Sequence, residues 1–140
     1  CIAEELNLSK SDRIIDIGCG NAWTLVQLAK KGFRGLVGVD YAPSAIDLAR
    51  AILKEHEIEV AQVELIVSDI LDRTDGIFSQ KFTLAHDKGT YDAISLNPDN
   101  SYERRMQYVA NVPEILEENG YLVLSSCNWT EEELKQHFKD

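Results

Sequence analysis

The chain has 140 residues, 44% hydrophobic and 27% charged, which suits a single soluble domain spanning 1–140. The net charge of −10, from 14 basic and 24 acidic residues, argues against a nucleic-acid-binding surface, which needs a basic footprint. No apolar run approaches the about 20 residues that a membrane helix requires.

These properties lead to several expectations. The three cysteines, at 1, 19 and 127, have no disulfide or metal-ligand spacing, so free thiols in the cytoplasm or nucleus are expected. We expect a monomer that binds no metal, membrane or nucleic acid. The acidity suits a basic protein partner, because a negative field steers cations inward, and it suits solubility equally well.

Short apolar runs alternate with helical patterns, as in a doubly wound, mostly parallel α/β sheet. The first strand is predicted over 13–17, and Gly18-Cys19-Gly20 follows it as a turn. Glycines there let the backbone turn tightly and approach a ligand closely. A helix is predicted over 21–31, and a second strand over 35–39 is closed by Asp40.

The middle of the chain continues the alternation. Pro43 favours a helix start, and a third strand over 63–67 ends at Ser68-Asp69. A short, weakly apolar fourth strand is predicted over 81–86, followed by a short helix or turn over 91–96.

The last third is predicted to hold one helix, one strand and a final helix. The helix spans 103–118, with Pro113 kinking or splitting it and Gly120 terminating it. A fifth strand follows over 121–125, and the last helix covers 130–138 with a capping box at its start.

Acidic side chains stand at the ends of three predicted strands, and ligands of open parallel sheets bind beyond such ends. Asp16, beside the glycine turn, suits an ammonium or sulfonium group better than a pyrophosphate. Asp40 can accept two ribose hydroxyls, and Asp69 can accept an adenine amino group while Ile70 covers the ring. Trp23 occupies the third glycine position of a dinucleotide fingerprint. S-adenosyl-L-methionine, a cationic nucleoside without phosphates, fits this pattern.

From about residue 12 to residue 128, the chain resembles the Rossmann-like, seven-strand class I methyltransferases. The glycine turn, Asp40 and Asp69 carry that resemblance. Three further segments, 38–46, 87–100 and 125–130, resemble protein-lysine methyltransferases that act on elongation factor 1-alpha. The resemblance implies S-adenosyl-L-methionine as cofactor and a protein-lysine N-methyltransferase that acts on a protein substrate, with elongation factor 1-alpha as the best candidate.

Two segments compete as the loop beside the reactive amine. If 81–86 is the fourth strand, the segment 87–90 follows its carboxyl end and joins the other ligand-edge residues. The rival segment, 97–100, resembles the Asn-Pro-Pro-Tyr loop of enzymes that methylate amide or base nitrogens. Its last residue is Asn100 rather than an aromatic, so we favour 87–90.

The site assignments follow from these motifs and from the resemblance. Asp87 is predicted to orient the amine or to bind the amino-acid end of the cofactor. The predicted cofactor-binding residues are Asp16, Gly18, Cys19, Gly20, Asn21, Asp40, Tyr41, Asp69, Ile70 and Asp87. By resemblance, Tyr91, Asn128 and Trp129 line the lysine channel, with a core or helix-staple role as the alternative for Trp129. His86 and His137 are expected to be structural.

Two departures from the family pattern carry expectations. Ala22 replaces a third glycine, which is tolerated if its φ is negative. Family members continue with a sixth and a seventh strand, so we expect this chain to be a fragment whose fifth strand is an exposed edge. Because the chain begins at Cys1, we also expect the natural amino terminus to be missing.

Two other functions remain open. A small-molecule or amide-nitrogen methyltransferase would use Asn97-Pro98. A non-catalytic nucleoside-binding partner subunit would bind the ligand without transferring a group.

Overall fold

A five-stranded parallel sheet forms the centre of the structure, a computed structural model that describes residues 1–139. The strand order is β3-β2-β1-β4-β5. The strands are β1 (Arg13–Ile17), β2 (Gly35–Asp40), β3 (Val63–Val67), β4 (Phe82–Lys88) and β5 (Leu116–Ser125). Order reverses between β1 and β4, so the predicted doubly wound α/β fold is confirmed.

Six helices connect the strands, and three 3₁₀ turns lie between them. The helices are α1 (Ile2–Glu5), α2 (Trp23–Lys30), α3 (Pro43–Glu55), α4 (Thr90–Leu96), α5 (Ser101–Asn111) and α6 (Glu131–His137). The 3₁₀ turns are Val60–Gln62, Gly76–Ser79 and Val112–Ile115. Within residues 1–139, no helix has the length and apolar character needed to cross a membrane.

Two hydrophobic cores cover the two faces of the sheet, because successive strand residues point to opposite sides. Ile14 and Leu36 pack on one side with the buried residues of α2 and α3. Ile15 and Val37 pack on the other side with Tyr108 of α5. This two-sided burial explains why the central strands are almost continuously apolar.

The prediction of a helix over 103–118 is wrong after residue 111, and Gly120 does not terminate a helix. Helix α5 ends at Asn111, and Pro113 lies in the 3₁₀ turn that follows, so proline splits the helix as expected. Strand β5 begins at Leu116 and contains Gly120. Its pairing with β4 shifts register between Phe82 and Leu84.

Gly120 serves this irregular stretch of β5. A Cβ there would meet the carbonyl oxygens of Glu117, Phe82 and Thr83 at 3.0, 3.2 and 3.2 Å. The residue therefore permits a close backbone approach at a bulge, a common use of glycine inside a strand.

Two predictions for the last part of the chain are confirmed: β5 is an edge strand, and α6 begins with a capping box. Within residues 1–139, β5 pairs on one side only, with β4, so it is an edge strand. The capping box of α6 is present: Thr130 Oγ1 accepts from Glu133 N at 3.1 Å, and Glu133 Oε2 accepts from Thr130 N at 2.9 Å.

A substitution at Gly38 of β2 tests how closely the core is packed around this strand. A Cβ there would lie 2.6 Å from Leu25 Cδ1, 3.0 Å from Leu65 Cδ2 and 3.2 Å from Cys19 Cβ. We expect Gly38→Ala to lower the free energy of unfolding by about 1–3 kcal/mol, measured by urea denaturation, because it overpacks a close-packed region.

The matched control is Gly76→Ala, where a Cβ would meet nothing within 4 Å. Its stability should stay within about 0.5 kcal/mol of the parent. Equal effects of the two substitutions would contradict the packing explanation.

Candidate functional site

The turn after β1 requires glycine and joins the segment after β4. Gly18 and Gly20 have φ values of +69° and +51°, in the left-handed region. A Cβ on Gly18 would collide with Thr90 Oγ1, whose hydroxyl donates to the carbonyl of Ile17 at 3.0 Å. Thr90 therefore packs directly over the turn and fixes the spacing of the two loops.

A cleft of about 640 Å³ opens at the carboxyl ends of β1, β2, β3 and β4. The predicted cofactor-binding residues that line it are Gly18, Asp40, Tyr41, Asp69 and Ile70. A second cavity of about 310 Å³ is lined by the predicted residues Asp16, Gly18, Cys19, Gly20 and Asn21. Because Gly18 and Lys88 line both cavities, the two adjoin as one site.

Asp40 connects the glycine turn to the end of β2. Its carboxylate accepts hydrogen bonds from Gly20 N at 3.2 Å and from Ala42 N at 3.1 Å. Two oxygens offer about four acceptor positions, so the partly exposed carboxylate can still accept from a ligand in the cleft.

Asp69 and Ile70 form the wall of the cleft after β3. Asp69 is exposed, and its Oδ1 accepts from Leu71 N at 2.9 Å. Ile70 is 6% exposed, and its carbonyl accepts from Asn111 Nδ2 of α5 at 3.0 Å. The side chains of Asp69 and Ile70 thus stand in a loop that α5 anchors.

A hydrogen-bonded carboxylate–imidazole pair, Asp16 and His86, lies beside the smaller cavity, which Asp16 lines. Asp16 is 5% exposed, and its Oδ1 lies 2.9 Å from His86 Nδ1. The hydrogen bond to Asp16 raises the pKa of His86, against the lowering effect of burial. The two residues are register partners on β1 and β4, which places them side by side on one face.

Cys19 also lies in this cavity but is unsuited to nucleophilic chemistry. Burial, followed by the neighbouring charges of Asp16 and Asp40, raises the pKa of its thiol to about 12. The thiol therefore stays neutral, and Cys19 acts as a small apolar wall residue.

Comparison with known proteins identifies the kind of domain that carries this cleft. Residues 8–140 match the family model described as "Methyltransferase domain". The chain belongs to the methyltransferase-domain family.

Individual relatives support this placement. The chain is 43% identical over 127 residues to human EEF1A lysine methyltransferase 2, covering 91% of this chain and 52% of the relative. It is 35% identical over 134 residues to protein-lysine N-methyltransferase efm4 of Schizosaccharomyces pombe, covering 90% and 56%. The chain thus spans about half the length of the curated relatives it matches.

The fold has solved counterparts. The structure of a TehB-like SAM-dependent methyltransferase from Corynebacterium glutamicum matches with a TM-score of 0.71 at 20% identity, covering 99% of this chain and 68% of that one. At that identity the likeness concerns the fold, and it confirms the predicted Rossmann-like methyltransferase architecture.

The structure does not bring Asp87 to the cleft of this methyltransferase domain. Asp87 is fully buried, and its carboxylate accepts from Thr90 N at 2.8 Å, from Tyr91 N at 3.0 Å and from the Tyr108 hydroxyl. Burial raises its pKa, while these three donors act in the opposite direction. The geometry makes Asp87 a positioning residue beneath the loop and gives no support to direct contact with an amine or cofactor.

Of the three predicted lysine-channel residues, Tyr91 is in the core, 1% exposed, with its hydroxyl 2.7 Å from His137 Nδ1. Trp129 packs against the same core, and its indole Nε1 donates to Ser95 Oγ at 3.1 Å. Asn128 is exposed in the loop after β5. Within residues 1–139, none of the three lines either cavity of the cleft. For Trp129, the alternative core role fits the structure.

Several residues that were not among the predicted site residues also line the cleft, among them Lys88, Thr90, Ile94 and Arg104. Asn97 of the rival 97–100 segment lines it as well. A signal for Lys88 and Thr90 was available, because they belong to the predicted 87–90 segment. Arg104 lies on a helix after the rival 97–100 segment and had no motif to single it out.

Ala22 departs from expectation because its φ is +61°, not negative. It is fully buried, and its N–H donates to Cys19 O at 2.8 Å. The left-handed conformation costs a non-glycine residue about 1–2 kcal/mol, and burial with this hydrogen bond holds it in place.

The Asp16–His86 pair predicts a pH dependence of stability. A histidine whose folded-state pKa is raised stabilises the fold below its ordinary value of 6.5, and that stabilisation is lost as the pH rises through the folded pKa. We therefore expect the stability advantage of the parent over His86→Asn to shrink as the pH rises from 6.5 through the raised folded-state pKa of His86. Urea unfolding of both proteins across this range measures it.

The control is His56→Asn, at a half-buried histidine whose ring nitrogen lies 3.2 Å from Lys30 Nζ rather than from a carboxylate. The stability difference between the parent and His56→Asn should not shrink in the same way. A His86 difference that is constant, or that grows with pH, would contradict the assignment.

Proposed function

We propose that this chain forms the cofactor-binding part of an S-adenosyl-L-methionine-dependent protein-lysine N-methyltransferase whose protein substrate is elongation factor 1-alpha. The carrying observation is the cleft: a glycine turn and the carboxylates of Asp16, Asp40 and Asp69 converge at adjacent strand ends. Similarity to relatives named as EEF1A and protein-lysine methyltransferases supports the substrate class.

The residues of the cleft fit this cofactor. The cavity, about 640 Å³, falls within the range of about 300–1,000 Å³ typical of small-molecule sites. Its lining presents two carboxylates, Asp40 and Asp69, which can accept the hydroxyl and amino donors of a nucleoside. Gly18, which has no room for a Cβ beside Thr90, lines both cavities where they meet.

Bound S-adenosyl-L-methionine supplies an electrophilic methyl group. The residues of this chain would bind the cofactor and orient it in the cleft. Asp40 is placed to accept ribose hydroxyls, and Asp69 to accept the adenine amino group. The Asp16 carboxylate, which is hydrogen-bonded to His86, lines the smaller cavity and keeps acceptor positions for an ammonium group there.

The substrate amine must lose its proton before it can attack. A site with partly apolar walls favours that loss by lowering the amine pKa. Ile70 and Ile94 supply such walls in this cleft. Positioning of amine and methyl group, rather than acid–base catalysis by Asp87, is therefore the main contribution of the protein.

Charge and cysteine chemistry support the partner and the location within this proposal. The net charge of −10 favours a basic protein surface as substrate. Cys1, Cys19 and Cys127 are free, which fits a reducing compartment such as the cytoplasm.

Asn97 is the observation that favours a second function, transfer to an amide nitrogen, because it lines the cleft. Its Oδ1 accepts from Asp99 N at 2.8 Å. Asn100, at the position of the family's aromatic residue, has φ +54° and is the N-cap residue before α5. The segment therefore lacks the aromatic that would stack on a planar nitrogen substrate.

Calorimetry with S-adenosylhomocysteine tests the cofactor site. We expect Asp40→Ala to weaken binding by about 1.5–3 kcal/mol, the value for hydrogen bonds to a charged group. The control is Asp47→Ala, a carboxylate on α3 that is 77% exposed, which should bind as the parent does. Unchanged affinity of Asp40→Ala would place the ribose elsewhere, and no binding by the parent would end both methyltransferase hypotheses.

A methylation assay tests the acceptor. The chain, radiolabelled S-adenosyl-L-methionine and purified elongation factor 1-alpha should give label on lysine, located by peptide mass spectrometry. Label on glutamine or on small molecules alone would defeat the lysine proposal. Cofactor binding without any transfer would favour the non-catalytic partner subunit.

A further inference from the structure

Arg104 is one of two cations, with Lys88, in the wall of a cleft that also presents the carboxylates of Asp40 and Asp69. Its Nε is buried and has no hydrogen-bond partner among residues 1–139. A buried donor without a partner costs about 1–3 kcal/mol, so its retention in a ligand cleft calls for an explanation.

Helix α5 holds Arg104 in place through two neighbours on the same helix face. Tyr108, one turn further along, donates its hydroxyl to Asp87 at the end of β4. Asn111, two turns along, donates to the carbonyl of Ile70 after β3 at 3.0 Å. Residues spaced by four and seven share a face, so the contacts that anchor α5 also direct Arg104 toward the cleft.

The chemistry of the two cleft walls is complementary. A guanidinium group only donates hydrogen bonds, and an ionised carboxylate only accepts them. Adenine presents a donating amino group between two accepting ring nitrogens, N7 on one side and N1 on the other. Asp69 and Arg104 line the same cavity as Ile70, whose side chain can cover the ring.

We propose that Arg104 determines base specificity by donating a hydrogen bond to N1 or N7 of the adenine ring while Asp69 accepts from the amino group. The inference rests on the proposed S-adenosyl-L-methionine site and deepens it. A 6-oxo base presents an acceptor in place of the amino group, which would face the Asp69 carboxylate unfavourably. The pair therefore selects adenine over hypoxanthine and guanine.

The test is calorimetry of the 140-residue chain with S-adenosylhomocysteine and with its 1-deaza and 7-deaza analogues, each of which replaces one ring nitrogen by C–H. We expect one deaza analogue to bind the parent about 10-fold more weakly. Arg104→Met should weaken S-adenosylhomocysteine by about the same factor and should abolish the extra loss for that analogue.

Arg50→Met is the matched control, since it removes the same charge from an arginine that is 63% exposed on α3; it should keep the parent's affinities. Arg104→Lys serves if the methionine variant does not fold, because a single ammonium in place of the planar fork should reduce the deaza discrimination. The comparison of S-adenosylhomocysteine with its two deaza analogues on the parent protein tests the inference even if no Arg104 variant folds.

Three results would overturn the inference: parental affinity of Arg104→Met, a deaza penalty undiminished in that variant, or no penalty for either analogue in the parent. Failure of the parent to bind S-adenosylhomocysteine would instead remove the proposed function itself. The two failures are therefore distinguishable.

Discussion

One buried carboxylate determines how the ligand edge of this sheet is built. Asp87 is fully buried, so its oxygens must be satisfied by protein donors. They are met by the N–H groups of Thr90 and Tyr91 and by the hydroxyl of Tyr108. Those donors belong to the first turn of α4 and to the middle of α5. Asp87 therefore fixes where both helices sit relative to the end of β4.

The position of the cleft walls follows from that attachment. With α4 held at its first turn, Thr90 packs over Gly18 and donates to Ile17 O. With α5 held at Tyr108, Asn111 reaches the carbonyl of Ile70 after β3. The ends of β1, β3 and β4 are thus tied together by hydrogen bonds that lie behind the ligand cleft. A residue can in this way shape the cleft without touching a ligand.

The parallel sheet and the carboxylates of the cleft were predictable. Parallel strands bring their carboxyl ends to one edge, so Asp16, Asp40 and Asp69 could be placed there from spacing alone. The facing of individual side chains was not predictable. Strand β4 continues to Lys88 instead of ending at His86, so Asp87 is a strand residue that points away from its neighbours. Tyr91 was assigned to a channel by resemblance, yet its side chain is buried in the core. Tertiary packing decides such facing, and local pattern does not reveal it.

Each of the four residues in the segment 87–90 has a different structural role. Asp87 anchors two helices from below, and Lys88, next along the strand, lies where the two cavities adjoin. Gly89 adopts φ +101° at the start of α4, which the left-handed region permits to glycine. Thr90 packs against Gly18 in the glycine turn and donates its hydroxyl to the carbonyl of Ile17. Because only Lys88, Gly89 and Thr90 line the cleft, a carboxylate at position 87 is explained by architecture, whereas the side chain at position 88 is the one exposed to whatever occupies the site.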